Sequence, residues 1–189
     1  MPLDEKSFGP DPLPEFSHWM EHARANAGLR NPGAMTLCTV GPDGSPQGRM
    51  VLLKAWSAEG FTFYTNSRSE KGLALAAHPL AELVLHWDSL GRQIRIRGPV
   101  QPLGEAETRA YFATRPRGSQ LAAWASQQSH PTPSRADLEA RYAAQEKRFE
   151  GKPPPFGDTD PRFKHWPGPI KGPTFRESQT VAVKAEGQP

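Results

Sequence analysis

The hydrophobic positions of this chain change period along its length, and the changes mark its elements. Between Pro14 and Ala27, the residues Phe16, Trp19, Met20 and Ala23 recur at helical spacing and predict an amphipathic first helix. Asn31-Pro32-Gly33 ends it. From Ala34 the period shortens: Met35, Leu37 and Thr39 alternate with Thr36, Cys38 and Val40, a strand with two fairly apolar faces. Gly41-Pro42-Asp43-Gly44-Ser45 reads as a turn, because proline presets φ and Asp-Gly tolerates positive φ. Further strands are predicted over Gly48–Trp56, Gly60–Thr65, Ala81–Trp87 and Arg92–Leu103, the last bent at Gly98-Pro99, with a short helix over 68–78.

Beyond residue 104 the period becomes helical. Glu105–Thr114 predicts one helix, Arg115-Pro116-Arg117-Gly118 breaks it, and Ser119 starts another that runs to about Gln127. Ser134 is a candidate cap for a longer helix ending near Phe149, with Leu138, Tyr142 and Phe149 on its apolar side. From Gly151 onward proline and glycine cluster, and only Thr180–Val183 has strand character. The expected organisation is a mobile arm over 1–12, one domain over 13–150 and a Pro/Gly-rich tail over 151–189 that wraps as coil or is disordered. Short strands in succession with helices between and after them predict a mainly β fold with peripheral helices, a small Greek-key barrel.

Composition narrows the function classes. The 189 residues suit a single domain, and 23 basic against 20 acidic residues leave a net charge of +3. The basic residues are dispersed among acids, which argues against a nucleic-acid partner and is compatible with a small anionic ligand. Cys38, the single cysteine, excludes an intramolecular disulfide and a cysteine-based zinc cluster. It lies in an apolar run and is expected to be a buried, inert thiol. No apolar leader or membrane-length run is present, so the expected location is cytoplasmic with no membrane association. Of six histidines only His18 and His22 share helical spacing, and without a third ligand no metal site is expected.

Several segments could carry chemistry. In Arg49-Met50-Val51-Leu52-Leu53-Lys54, cations bracket an apolar strand and could each reach a ligand lying along it, although such residues also serve as solvated strand ends. In Tyr64-Thr65-Asn66-Ser67-Arg68-Ser69-Glu70-Lys71, a strand runs into a loop and a helix. Its hydroxyls at 65, 67 and 69, cations at 68 and 71 and free helix N–H groups make a phosphate cradle, or else an ordinary cap. Gln93, Arg95 and Arg97 alternate with Ile94 and Ile96, so Gln93 either faces a polar site or lies on a half-exposed strand. Tyr111 and Arg115 are four apart, as on one helix face, and Ser119 opens the next helix; together they suit a phosphate monoester or form a plain helix corner. Nucleophile-elbow, Walker A, zinc-protease and dinucleotide-binding motifs are all missing.

The order of these segments resembles the pyridoxine/pyridoxamine 5′-phosphate oxidase family. The resemblance rests on Arg49–Lys54, Phe63-Tyr64-Thr65-Asn66, Lys71-Gly72, Arg92-Gln93, Tyr111-Phe112, Arg115-Pro116-Arg117-Gly118-Ser119-Gln120, Trp124 and Gln127-Gln128-Ser129, and it covers about residues 10–150. It implies an FMN-binding split barrel assembled as a homodimer with FMN at the interface. It assigns FMN contacts to Arg49, Met50, Val51, Leu52, Leu53, Lys54, Tyr64, Thr65, Lys71 and Gln93, with Gln128 and Ser129 reaching the flavin of the other subunit. It assigns the substrate phosphate to Lys54, Tyr111, Arg115 and Ser119. The activity implied is FMN-dependent oxidation of pyridoxamine or pyridoxine 5′-phosphate to pyridoxal 5′-phosphate, with O2 consumed and H2O2 released. No catalytic residue is assigned. Two departures stand out: Glu70 occupies a position where the family usually has arginine, and nothing after Gly151 matches the family's C-terminal Trp-Gly-Gly, Glu-Phe-Trp and Arg-Leu-His-Asp-Arg segments. The second leaves three expectations: this oxidase with turnover impaired by its tail, a split-barrel oxidase of another reduced ring of the phenazine type, or a non-catalytic binder of FMN or pyridoxal phosphate.

Overall fold

The computed structural model describes residues 9–26 and 28–156, and the backbone of 170–171 and 181–184. Most of the expected arm over 1–12 therefore lies outside the described residues. The chain divides into two compact units: residues up to 64 with 74–101 and 171–189, and residues 65–73 with 102–170.

The first unit is built on helix α1 (Leu13–Ala25) and strands β1 (Ala34–Val40), β2 (Pro46–Ser57), β3 (Gly60–Phe63), β4 (Leu80–Trp87) and β5 (Arg92–Pro99). The strand expected over 92–103 with a bend at Gly98-Pro99 ends at Pro99, and only the two-residue β6 (Gln101–Pro102) follows it. Two tail segments, β7 (Ile170–Lys171) and β8 (Val181–Lys184), join the sheet, whose order is β6-β7-β3-β2-β1-β4-β5-β8. β8 falls one residue beyond the strand expected at 180–183 and pairs antiparallel to β5, with Gln93 opposite Val183. β1 is antiparallel to both β2 and β4, β2 to β3, and β4 to β5.

Alternation along these strands does what the sequence pattern dictates. Met35 and Leu37 of β1, Val51 and Leu53 of β2, Leu83, Leu85 and Trp87 of β4, and Ile94 and Ile96 of β5 are buried. α1 turns Phe16, Trp19, Met20 and Ala23 inward. Phe16 meets Trp56 and Phe61 edge-on at 5.3 and 4.9 Å, contacts worth about 0.5–1.5 kcal/mol each beyond area burial. The β1–β2 turn forms as expected: Gly44 takes φ +81°, and the Asp43 carboxylate accepts the Ser45 amide at 3.0 Å.

The second unit contains the loop 65–73, which enters α2 (Glu70–Ala77), and helices α3 (Glu105–Thr114), α4 (Arg117–Ala125) and α5 (Arg135–Arg148). Its core is Phe112, Leu121, Trp124, Phe149 and Phe156. Phe156 lies beyond the expected boundary at 150, and the Trp124 indole donates to the Pro155 carbonyl at 3.0 Å, so the packed unit extends past α5. Ser134 caps α5 as expected, accepting the Asp137 amide at 3.1 Å. Leu138 is exposed, and Gln145 rather than Leu138 accompanies Phe149 in the buried face.

Candidate functional site

After β3 the chain turns through 64–69 into α2, and this turn is tightly tied. The Asn66 side-chain oxygen accepts the Arg68 amide at 2.8 Å, and its carbonyl accepts both the amide and the hydroxyl of Ser69. The Ser69 oxygen in turn accepts the Lys71 ammonium at 3.0 Å and the Gly72 amide at 3.3 Å. Of the three hydroxyls expected in a cradle, Ser69 is therefore spent on holding the turn. The other two are different. Thr65 Oγ1 and Ser67 Oγ are buried with no hydrogen-bond partner among the described residues. A buried polar atom left unmade costs about 1–3 kcal/mol, a cost that a ligand offering oxygen atoms would remove. Lys71 is itself only 9% exposed, and an ammonium so buried favours an anion beside it. Gly72 makes the close packing possible: a Cβ there would lie 2.2 Å from the Ser67 carbonyl oxygen. The chemistry of this set (two unsatisfied hydroxyls, a buried ammonium and the N-terminus of an eight-residue helix) fits a phosphate group. Glu70 is exposed in the first turn of the same helix.

On β2, side-chain alternation separates the two bracketing cations. Arg49 shares a face with buried Val51 and Leu53, whereas Met50, Leu52 and Lys54 are exposed on the other. Five residues is an odd step on a strand of period two, so the two cations project from opposite faces of β2. A register irregularity between Leu53 and Ala55 falls at Lys54 itself. The Arg49 guanidinium is held against β1, donating to Thr39 Oγ1 at 2.6 Å, the Leu37 carbonyl at 3.3 Å and the Gln47 side chain at 2.9 Å.

Gln93 lies on the half-exposed face of β5, opposite His86 of β4. Its neighbours on that face, Arg95 and Arg97, both bind Glu82 of β4, Arg97 at 3.0 Å. The Arg95 hydrogen bond, with Arg97 adding to it, holds the Glu82 carboxyl below its ordinary range. Cys38 on β1 faces Glu82, and burial followed by that negative charge pushes its thiol up. The thiol is half-buried and disfavoured as thiolate, which agrees with the inert role expected.

In the second unit, Tyr111 lies in the last turns of α3, but Arg115 does not continue that helix. It is the C-terminal cap, extended at φ −69° and ψ 145°, because the following Pro116 disfavours the helical conformation. The shared helix face expected for the pair is thus corrected. α4 begins at Arg117, so Ser119 sits in its first turn rather than opening it, and its amide already donates to the Pro116 carbonyl at 2.8 Å. Arg115 lines an open recess of about 370 Å³ together with Arg117, Gln120, Gly151, Lys152 and Pro153; its lining includes neither Tyr111 nor Ser119. Arg117 closes one wall by donating to the carbonyls of Phe149 and Lys152 at 2.7 and 2.8 Å. Gln128 and Ser129 are exposed in a turn after α4 where Ser129 takes φ +67°, a left-handed conformation uncommon for serine.

Sequence reading grouped Ser67 with its neighbours and gave no role to Gln120, Arg117 or Lys152. Only hydrogen bonding separates Ser67 from Ser69, both being buried, and only the folded α3–α4 corner and the turn after α5 bring the other three to Arg115. Among the described residues no group of three or more metal-ligating side chains occurs, and no described helix is long and apolar enough to cross a membrane.

Comparison with known proteins adds a second line. A family model described as pyridoxamine 5′-phosphate oxidase matches residues 22–147. A pyridoxine/pyridoxamine 5′-phosphate oxidase of Cupriavidus metallidurans is 47% identical over 175 residues, which is 93% of this chain and 79% of that protein. A match of that length extends into the tail, so the likeness does not end at Gly151 as the tail motifs suggested. Among solved structures, PhzG from Burkholderia lata in complex with tetrahydrophenazine-1-carboxylic acid superposes with a TM-score of 0.77 at 24% identity, covering 98% of each chain. A pyridoxamine 5′-phosphate oxidase-related, FMN binding protein from Nostoc punctiforme gives 0.60 at 16% identity, covering 96% of this chain and 99% of that one. These two likenesses bear on fold alone, and they agree with the mainly β fold expected from the strand pattern and with the split barrel that the family resemblance implies.

Proposed function

The chain belongs to the pyridoxamine 5′-phosphate oxidase family, and from that membership we propose that it oxidises pyridoxamine or pyridoxine 5′-phosphate to pyridoxal 5′-phosphate with FMN, consuming O2 and releasing H2O2. The observation that carries the cofactor assignment is the pair of buried, unpartnered hydroxyls at Thr65 and Ser67 beside buried Lys71. An FMN phosphate seated there would accept from both hydroxyls and from the α2 amides, with Lys71 neutralising part of its charge. Arg49, Lys54, Tyr64 and Gln93, with the strand Met50–Leu53, would contact the rest of the cofactor. When bound, FMN supplies a hydride acceptor for the substrate C4′ carbon and a route for electrons to O2.

The protein's own share is binding and orientation. Lys54, Tyr111, Arg115 and Ser119 would hold the substrate phosphate, fixing the ring carbon at the reacting distance rather than performing proton chemistry of their own. A homodimer is part of the reading, with Gln128 and Ser129 reaching the partner's cofactor. It is supported by the exposed apolar side chains Met50 (64% exposed), Leu52 and Val40 on the outer face of β1 and β2. The alternative substrates of the phenazine type are not favoured, since the 47% identical relative acts by name on pyridoxine and pyridoxamine phosphates.

The test is direct. Purified protein is expected to carry flavin absorption, or to regain it with FMN, and to release H2O2 when pyridoxamine 5′-phosphate is added in air. Protein that cannot be reconstituted with FMN overturns the cofactor assignment; reconstituted protein silent towards both phosphates overturns the substrate.

A further inference from the structure

The α3–α4 corner contains a buried side chain whose polar atoms do one unusual thing. Gln120 is 6% exposed, and its amide nitrogen donates to three main-chain carbonyls: Phe112 at 2.9 Å, Arg115 at 3.1 Å and Ala113 at 3.3 Å. These belong to the C-terminal end of α3, where carbonyls lack partners within the helix. The Phe112 carbonyl also accepts the Arg115 amide at 3.2 Å. Arg115 is therefore clamped at both ends of its own residue: its N–H shares an acceptor with Gln120, and its C=O accepts from Gln120 directly. The Gln120 main-chain N–H completes the corner by donating to the Pro116 carbonyl at 3.1 Å.

That clamp matters because of where Arg115 sits. It lies outside the helix, so no i→i−4 ladder fixes its backbone, and its guanidinium rests 5.7 Å from the centre of the Phe112 ring. Gln120 and Arg115 line the same recess. A backbone rotation at Arg115 would swing the guanidinium on a long lever, and a carboxamide bridging three carbonyls opposes that rotation.

We propose that Gln120 is a positioning residue for anion recognition: it sets the backbone of Arg115 so that the guanidinium meets the substrate phosphate. This rests on the reading of Arg115 as a phosphate contact. Gln120 itself touches no substrate.

Gln120→Met keeps the side chain's length and apolar packing and removes its donors. Binding of pyridoxal 5′-phosphate and of unphosphorylated pyridoxal to the FMN-loaded protein is measured by flavin fluorescence, in parallel with Arg115→Ala and the double variant. The expected result for Gln120→Met is about tenfold weaker binding of the phosphate ester, in line with the cost of small misplacements, with pyridoxal binding changed less than twofold. The double variant is expected to bind no more weakly than Arg115→Ala alone, because one effect acts through the other. Equal loss for both ligands, no loss for the ester, or additive losses overturn the proposal. If Arg115→Ala leaves the ester's affinity intact, the phosphate reading of Arg115 itself fails and the proposal falls with it; if only Gln120→Met is without effect, that reading stands and the proposal alone fails. Should Gln120→Met not fold, Gln120→Glu, which turns the donor into an acceptor at constant shape, is read with the same ligands against the same outcomes.

Discussion

Glu70 occupies the first turn of α2, where the helix end is electropositive and where a phosphate would also be drawn. A carboxylate there competes for the same field, so its removal should tighten cofactor binding. Glu70→Gln is expected to strengthen FMN binding roughly two- to fivefold, matching the usual strength of a charge at a helix end. The gain should shrink as salt is raised, and titration of the apoprotein with FMN at two ionic strengths checks both points. Glu82 supplies a pH-dependent counterpart. Its carboxyl is held low in the folded protein by Arg95 and Arg97, so the unfolded chain binds the proton first as pH falls. The stabilisation is complete above the unfolded carboxyl's pKa of about 4.3 and is lost on descending below it. Glu82→Gln should therefore lower the melting temperature at neutral pH and flatten its fall in acid; a melting curve as steep in acid as the parent's would contradict this. Glu70 stood out already in the sequence, whereas Glu82 did not, because it meets Arg95 and Arg97 only through strand pairing.

At the scale of elements, alternation and period were sufficient to place β1, β2, β4 and α3 nearly to the residue, since each has one buried face and no competing signal. The start of α4 was less legible. Arg115-Pro116-Arg117-Gly118 has the composition of a break, yet proline is well suited to the position just before a helix, and Gly118 is carried inside the first turn. The same proline holds Arg115 extended and so moved it off the α3 face. Where α2 packs on the loop before it, Gly72 is the decisive position. Gly72→Ala would press a methyl into the Ser67 carbonyl at 2.2 Å, and backbone cannot step aside as a flexible side chain can. The variant should lose about 3 kcal/mol in denaturant unfolding, the upper range for overpacking, and should lose FMN more readily than riboflavin. A stable Gly72→Ala protein with full FMN affinity would show that the loop does not depend on this contact.

For the whole molecule, the sequence disclosed the kind of fold and the family, and it underestimated the tail. Proline and glycine density after 151 suggested coil apart from a strand at 180–183; a strand does pair with β5 at 181–184, but the pairing of 170–171 with β3 was not anticipated, and Phe156 completes the helical core. A two-residue strand leaves no periodicity to read, and its position is decided by which sheet edge is vacant. Assembly is also a property of this scale. If a second copy covers the outer face of β1 and β2, then Met50→Lys with Leu52→Lys should shift the protein from dimer to monomer in sedimentation and reduce its FMN content. A dimer that persists unchanged places the interface elsewhere.

The contact between the Ser67 main chain and the bare Cα of Gly72 has an evolutionary corollary. A receptacle whose contour is moulded by peptide groups keeps its form when the residues around its rim are exchanged. A change of charge at position 70 would then retune the attraction for an anion without remoulding such a receptacle, so strength of capture and geometry of capture would be separately adjustable traits.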